Sequence, residues 1–332
     1  MGQPQSARVL TDTPVVPVTR LGPDTALVDI LHQGHRNAIG TGVFESSGGV
    51  GLVDPGPTAC LEALRSGLGT LGYELSDVRA VFLTHIHLDH ATAAGAIVRE
   101  SPEALVYVHP RGARHMIDPA KLLASAGRIY GDAMDSLWGE FVPVPEASVR
   151  EVDEGDRVQL GDRSWEVGYV PGHAKHHVAY YEAEADTAWI GDVGGIRMPG
   201  GVAVPVTPPP DIDVEAWTAS MARVLAWGPK QMVPTHFGVV EDPADHFLEL
   251  NRRLVEWAEW VKESLGPSLG SEPDDSPDRQ VDQEKARQFA EWLRADLTSS
   301  MSEDLAEAYA LAFGFEDSWW GLARYWRKWA EG

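Results

Sequence analysis

Short spans of alternating apolar and polar residues recur along the chain, and each span ends in a turn. Residues 25–54 contain three of them, TALVDILHQ, GTGVFES and VGLVD, which predict three short strands. The third strand ends at Asp54, where DPGP indicates a turn. After that turn, TACLEALRSGLGTLG has helical apolar spacing, and VRAVFLTH predicts a strand that carries His85 at its carboxyl end.

The same order of elements recurs in the second half of the chain. SWEVGYVPGH, HHVAYYEAE and TAWIGD predict strands, DVEAWTASMARVLAWG predicts a helix, and KQMVPTH predicts a final strand. Each half therefore has an Asp at a strand end, Asp54 or Asp192, before a helix and a strand that ends in Thr-His. We interpret this as a diverged duplication, with two packed sheets, helices outside, and the strand ends along one rim.

Two helical segments lie outside this repeat. Residues 112–141 are too long for a simple connection, and their pattern fits either a lid or pocket wall or a plain packing helix. Beyond His236, HFLELNRRLVEWAEWVKESL and VDQEKARQFAEWLRADL predict amphipathic helices on either side of the polar linker GPSLGSEPDDSPD. We therefore expect a main domain over residues 1–240 and a helical extension over 241–332.

The helical extension is rich in tryptophan. It carries seven of the twelve in the chain: Trp257, Trp260, Trp292, Trp319, Trp320, Trp326 and Trp329. Because so much apolar surface must be covered, we expect the extension to dock on the main domain. A homodimer interface through these helices is the alternative.

Composition narrows the function classes. The net charge of −23 argues against a nucleic acid partner, because nucleic acid binding depends on Lys and Arg. The single cysteine, Cys60, excludes an internal disulfide and a Cys-rich metal site, and we expect it to be a buried packing residue. No run of eighteen apolar residues occurs, and the start MGQPQSARVLTDTPVVPV lacks a secretory pattern. We expect a cytoplasmic protein with a small-molecule substrate and no membrane partner.

Four potential metal ligands lie close together in THIHLDH, residues 84–90. On an extended segment, His85 and His87 face the same way and can offer two imidazoles to one cation. Asp89 and His90 follow where the chain turns into the predicted helix ATAAGAIVRE, which directs them toward a second cation. The alternative is that Asp89 only caps that helix and that the histidines lie on the surface.

Three more residues of this kind fall where the rim is expected. His173 follows a predicted strand, and Asp192 and His236 each end one. Small residues surround Asp192, whose carboxylate can bridge two cations about 3.5 to 4 Å apart. Seven ligands then serve two metal ions.

In these residues the sequence resembles the metallo-β-lactamase-fold superfamily of hydrolases, whose pattern is His-x-His-x-Asp-His followed by a His, an Asp and a His. The resemblance covers roughly residues 20–240 and implies an α/β fold, a four-layer αββα sandwich of two αβ halves with the helical extension outside it. It also implies a ligand set, with His85, His87 and His173 for one metal ion, Asp89, His90 and His236 for the other, Asp192 as the bridge, and Asp54 orienting a ligand histidine.

This ligand set implies a two-metal hydrolase that acts on a small ester, thioester or lactone. Two divalent cations lower the pKa of a shared water to about 7, so that a metal-bound hydroxide attacks while Asp89 holds the water and accepts its proton. Zinc suits a His-rich site, and iron or manganese is compatible with it. The alternatives are a mononuclear iron oxygenase of the persulfide dioxygenase kind and a scaffold without enzymatic activity.

Differences between this sequence and better-known branches of the superfamily narrow the range of possible substrates. Gly195 stands where acyl-homoserine lactonases, by resemblance, have a Tyr, and after His236 only three lysines are available to clamp glutathione. His177 follows His173 as in the glyoxalase II-like pattern, and lines the pocket or packs. The chain most resembles a little-characterised branch. The other candidates for substrate contact are His109, His115, His176, Tyr130 and Arg197, of which Arg197 is expected to pair with an acidic residue instead.

Overall fold

The computed structural model describes residues 15–266, residue 269 and residues 278–331. Two parts of the sequence interpretation lie outside the described residues, namely the amino-terminal segment examined for a secretory signal and most of the predicted linker. Within the described part, no helix is both long enough and apolar enough to cross a membrane.

The first sheet is mixed and has its strands in chain order. The strands are β1 (Val18–Gly22), β2 (Thr25–Asp29), β3 (Gly40–Ser46), β4 (Gly49–Val53), β5 (Val78–Phe82), β6 (Leu105–Val108) and β7 (Val149–Glu151). The strands from β1 to β4 are antiparallel, and those from β4 to β7 are parallel. Val53 pairs with Phe82 across β4 and β5, so the residues after these two strands emerge at the same edge.

The second sheet is shorter and faces the first. Its order is β12 (Gln231–Val233), β11 (Thr187–Trp189), β10 (Val178–Glu182), β9 (Arg163–Tyr169) and β8 (Arg157–Leu160). Aromatic side chains fill the space between the sheets, where the Trp165 ring lies 4.5 Å from Phe44 and 4.9 Å from Phe82, centroid to centroid. This buried layer fixes how the two sheets face each other.

Helices cover the outer face of each sheet. Those of the first half and the insertion are α1 (Leu61–Leu71), α2 (Leu88–Ala91), α3 (Ala94–Glu100), α4 (Pro110–Ile117), α5 (Ala120–Tyr130) and α6 (Met134–Trp138). Those of the second half and the extension are α7 (Val214–Leu225), α8 (Pro243–Leu265), α9 (Asp278–Ser300), α10 (Glu303–Phe313) and α11 (Phe315–Glu331). Separate apolar layers lie on either side of the double sheet. The predicted αββα sandwich is confirmed.

Some boundaries differ from the sequence prediction. The strand predicted to continue beyond Asp29 ends there, because Leu31 and Gln33 adopt left-handed backbone conformations. Asp89 and His90 lie inside the short helix α2 rather than ahead of the predicted helix, which is divided into α2 and α3. Asp89 does not cap α2, since the N-cap residue is His87.

The helical extension docks on the second half of the sandwich. Its apolar residues form one continuous layer with the outer face of the second sheet and with α7. Trp257 and Trp319 are fully buried there, and the Tyr325 hydroxyl of α11 donates to the Glu215 carboxylate of α7 at 2.6 Å. The docking that the tryptophans predict is therefore present. The domain division at residue 240 and the homodimer alternative stay predictions.

Tyr309 of α10 ties the extension to the segment after β11. Its hydroxyl accepts from the Met198 amide at 2.9 Å and donates to the Val202 carbonyl at 2.8 Å. We predict that Tyr309→Phe lowers the free energy of unfolding by about 1–3 kcal/mol, because both backbone groups lose a partner. Tyr73 is half-buried, but its hydroxyl bonds Glu45 at an exposed site, so it supplies the control, and Tyr73→Phe should cost less than about 1 kcal/mol in the same denaturant titration. Equal effects of the two substitutions would contradict this account of the docking.

Candidate metal centre

The loops that follow four strands open at one rim of the sandwich. The loop after β5 leads through Thr84 into α2, and the loop after β9 carries His173. A turn over Gly191–Gly194 follows β11 and holds Asp192, and His236 follows β12. Because parallel strands present their carboxyl ends at one edge, side chains distant in the sequence meet here.

The seven predicted ligands converge at this rim. They form overlapping groups in which one nitrogen or oxygen of each residue lies within 4.8 Å of those of the others. The groups are His85 with His87 and His173, His85 with His90 and Asp192, and Asp89 with His90 and His236. His85, His87 and His173 form a first ligand set, and Asp89, His90 and His236 form a second. The remaining group, which contains Asp192, connects the two sets.

Asp192 lies between the two sets and turns one carboxylate oxygen toward each. Its Oδ2 lies 3.3 Å from His173 Nε2, in the first set. Its Oδ1 lies 3.2 Å from His90 Nε2 and 3.5 Å from His236 Nε2, in the second set. This is the position that a bridging carboxylate needs.

Hydrogen bonds on the far side of each imidazole direct the other ring nitrogen inward. His173 Nδ1 donates to the Val206 carbonyl and His236 Nδ1 to the Ala38 carbonyl, each at 2.7 Å. His85 Nδ1 lies 3.1 Å from the Thr84 hydroxyl. Because a carbonyl can only accept, the Nε2 atoms of His173 and His236 carry no proton in the neutral rings, which is the form in which they can bind a cation.

Several inward-facing atoms have no partner in the described part of the chain. His85 Nε2, His90 Nε2 and Asp192 Oδ1 are buried and make no hydrogen bond, although His90 Nε2 and Asp192 Oδ1 lie 3.2 Å apart as an ion pair. A buried polar atom without a partner costs about 1–3 kcal/mol, and these three converge on the same space. Divalent cations between the two ligand sets would satisfy all of them, so the residues fit the metal site that the sequence predicts.

The electrostatics of the centre also suit cations. Burial, and next the charges of His90 and His87, lower the pKa of His85 well below its ordinary value, and a neutral imidazole is the form that binds a metal. Burial by itself would lower the pKa of His90. The negative charges of Asp192 and then Asp89 have the larger effect together, and they raise the pKa of His90 well above its ordinary value. The buried carboxylates therefore demand compensating positive charge at this point.

Asp54 holds the centre together from beneath. Its side chain is fully buried and accepts from the Thr84 amide at 2.8 Å and the Thr84 hydroxyl at 2.7 Å. Its Oδ2 also accepts from the Thr235 hydroxyl at 2.6 Å and from His90 Nδ1 at 2.9 Å. One carboxylate thus joins the segments that follow β4, β5 and β12 and orients the His90 ring.

Some of the remaining sequence candidates bond to other residues of the chain, and the others line a cavity that lies above the metal centre. His177 is buried beneath the centre, where its Nε2 accepts from the Asp192 amide at 3.1 Å, and Arg197 pairs with Asp242 at 3.0 Å, as expected. His109 accepts from the Arg111 amide at the start of α4. Those that line the cavity over the centre are His115, His176 and Tyr130.

Gly195 cannot be replaced by the Tyr of the lactonase pattern. Its backbone has a φ of +61°, and a Cβ at this position would overlap the Val204 carbonyl oxygen and a Leu250 methyl group. The segment is held there because the Ile196 amide donates to the same Val204 carbonyl at 2.9 Å. The absent tyrosine is therefore a consequence of the backbone path after Asp192.

A cavity of about 760 Å³ opens above the metal centre. The insertion forms one wall through α4, α5 and α6, and the extension contributes residues 310–314 and Asp317. The insertion is therefore a pocket wall, one of the alternatives that the sequence left open. His32 also lines the cavity and stacks on Trp138 at 5.4 Å, and nothing in the sequence pattern distinguishes it from other histidines.

The chain matches the family model of the metallo-beta-lactamase superfamily over residues 41–236. That span is more than half of the chain and contains Asp54 and all seven residues of the two ligand sets. The chain therefore belongs to the metallo-beta-lactamase superfamily.

Named relatives are similar over about half of the chain. A metallo-beta-lactamase fold-containing protein of Sulfurisphaera tokodaii is 29% identical over 163 residues, which are 48% of this chain and 60% of the relative. The hydroxyacylglutathione hydrolase of Gloeothece citriformis is 34% identical over 169 residues, which are 49% of this chain and 48% of the relative. The chain thus spans about half to three fifths of the length of these curated relatives.

Solved structures share the fold at lower identity. A metallo-beta-lactamase family protein of Thermus thermophilus has a TM-score of 0.61 at 19% identity, over 96% of this chain and 94% of that one. An archaeal superfamily protein of Sulfolobus tokodaii has a TM-score of 0.53 at 24% identity, over 67% and 80%. Because the match to the Thermus protein covers 96% of this chain, it includes most of the helical extension. The extension is therefore part of a fold that occurs in another protein.

We predict that Asp54→Asn lowers metal affinity by roughly 10- to 100-fold. An amide has one acceptor oxygen where the carboxylate has two, so it cannot accept from Thr84, Thr235 and His90 together and no longer holds the His90 ring in place. Metal content after equilibrium dialysis against zinc buffers measures the effect. Asp29 supplies a matched control, since it is a buried carboxylate that accepts from the Asn37 amide at 2.9 Å and makes no contact with the centre. If Asp29→Asn lowers metal affinity as much, the positioning role of Asp54 is wrong.

Proposed function

We propose that the protein is a two-metal hydrolase of small esters, thioesters or lactones. Asp192 carries the proposal, because its two carboxylate oxygens face separate ligand sets, 3.3 Å from His173 and 3.2 Å from His90. His85, His87 and His173 would hold one cation, and Asp89, His90 and His236 the other. Bound there, two divalent cations would lower the pKa of water to about 7 and polarise the bond under attack.

Asp89 is the residue that we assign to proton transfer. Its side chain is 25% exposed and lines the cavity, whereas that of Asp192 is only 3% exposed. Its Oδ2 lies 3.3 Å from His236 Nε2 and 3.6 Å from His90 Nε2, at the boundary between the ligand set and the cavity. A carboxylate there can orient a water molecule and accept its proton while the substrate occupies the cavity.

Water is a better candidate for the nucleophile than the single cysteine. Cys60 lies outside the cavity lining, and burial, followed by the charge of Asp29, raises the pKa of its thiol to about 12. Such a thiol stays protonated near neutral pH and is a poor nucleophile. We also propose the cytoplasmic location that the sequence predicts, a compartment in which a thiol such as Cys60 stays reduced.

The second ligand set favours two metal ions over one. A mononuclear iron oxygenase would leave Asp89, His90 and His236 without a common partner, although they lie within 4.8 Å of one another. We assign zinc to the site because five of the seven ligands are histidines, and iron or manganese is compatible with the same set. The name of the Gloeothece relative, a hydroxyacylglutathione hydrolase, supports a thioester among the substrates.

We predict that Asp89→Ala lowers turnover by about 10²- to 10⁴-fold, because the group that accepts the proton, which is also a proposed ligand of the second cation, is removed. A panel of chromogenic esters, thioesters, lactones and phosphodiesters measures the effect, and circular dichroism should show an unchanged fold. Asp132→Ala, at an exposed site of the insertion, is the control and should leave turnover unchanged. Full activity of Asp89→Ala would contradict the role assigned to Asp89. A content of one iron per chain together with thiol-dependent oxygen uptake would contradict the hydrolase function and support the oxygenase alternative.

A further inference from the structure

The far side of the cavity is apolar and open to solvent. The insertion contributes Leu122, Ile129 and Trp138 to this wall, and α10 contributes Leu311 and Phe313. Ile129 is 47% exposed and Leu311 is 61% exposed. Large aliphatic side chains exposed within a concave site are typical of a surface that binds an apolar ligand.

The cavity wall formed by α4 and the start of α5 is basic rather than apolar. Arg114 and Lys121 both line the cavity and are exposed. Neither has a carboxylate within ion-pair distance in the described part of the chain, and Arg114 Nε donates instead to His115 Nε2 at 3.2 Å. Burial lowers the pKa of His115, and both cations are close enough to His115 to lower its pKa further. In a chain with a net charge of −23, two such cations without an ion-paired carboxylate are unexpected on composition alone.

The acidic residues of the cavity do not neutralise this pair. Outside the metal centre, the carboxylates that line it are Asp211 and Asp317. Asp211 pairs with Lys175 at 3.5 Å. Asp317 lies near Tyr130, which is nine residues, or about 13 Å, further along α5 than Lys121.

The basic wall lies directly against the metal-binding loop. A Cβ at Gly112 of α4 would lie 2.8 Å from a methyl group of Ile86, which stands between the ligands His85 and His87. Only the absence of a side chain at this position lets α4 approach so closely. A substrate with its scissile bond at the metal centre therefore has the basic wall beside it.

We propose, on the basis of the hydrolase function above, that the substrate is amphiphilic, with a negatively charged group bound by Arg114 and Lys121 and an apolar group against Ile129, Trp138 and Leu311. The anion is a carboxylate or a phosphate, since paired cations recognise both. The insertion thus selects the substrate, while the extension supplies part of the apolar wall.

A pair of six-carbon esters tests the charge. p-Nitrophenyl hexanoate is neutral, and mono-p-nitrophenyl adipate carries a carboxylate at the far end of the same chain. We expect the double variant Arg114→Ala/Lys121→Ala to raise KM for the adipate ester about tenfold with kcat unchanged, and to leave the hexanoate within about twofold. Salt at about 1 M should reduce the preference of the unaltered protein for the adipate.

Arg128→Ala is the matched control, because Arg128 is an exposed cation on α5 that does not line the cavity. It should leave both KM values unchanged. Equal loss in the control and the double variant, or no loss for the adipate ester in the double variant, overturns the proposal and leaves the hydrolase function intact.

Binding measured without turnover keeps the two proposals separable. Titration of hexyl phosphate, hexanoate and hexanol into the metal-loaded protein, followed by tryptophan fluorescence, should show that either anion binds more tightly than the alcohol. The double variant should lose that preference by about tenfold, and the stronger of the two anions identifies the charged group. If neither ester is hydrolysed but the anion preference disappears in the double variant, ester hydrolysis fails and the anion site stands. Equal affinity for all three probes rejects the anion site.

Discussion

The buried carboxylate of Asp192 imposes the main constraint on this molecule. A negative charge with almost no access to water is costly unless positive charge or hydrogen-bond donors compensate for it. Its two oxygens face His173 on one side and His90 and His236 on the other, and its Oδ1 has no hydrogen bond. A pair of cations satisfies this carboxylate and the unpartnered imidazole nitrogens of His85 and His90 together.

The rest of the architecture holds these groups in place. The parallel strands of the two sheets end at one rim, and Asp54 joins the segments after β4, β5 and β12 through bonds to Thr84, Thr235 and His90. The insertion and the extension then both contribute walls to the cavity above the centre. The sandwich thus provides a fixed set of ligands, and the two added helical parts shape the space in which a substrate would bind.

Much of this could be predicted from the sequence, because short-range patterns reflect the fold directly. Alternating apolar residues and strand-end Asp and His residues predict both sheets and the approach of His85 to His236 from distant parts of the chain. The predicted strand beyond Asp29 and the undivided helix after His90 were wrong, since left-handed residues at 31 and 33 and the division between α2 and α3 are set by tertiary contacts.

The cavity walls are harder to predict, because they depend on how distant segments pack. PRGARHMIDPAK, at the start of the insertion, is basic in an acidic chain, which is a signal for Arg114 and Lys121. No comparable signal exists for His32 or Leu311, whose roles in the wall follow only from the positions of the loop after β2 and of α10. The path of the backbone after Asp192 explains Gly195 only once Val204 is seen beside it.

Anomalous X-ray diffraction from crystals of the protein grown with zinc tests the central claim most directly. We predict two anomalous peaks per chain, about 3.5 to 4 Å apart, with Asp192 between them. A single peak bound by His85, His87 and His173, or none at this rim, would contradict the two-metal centre.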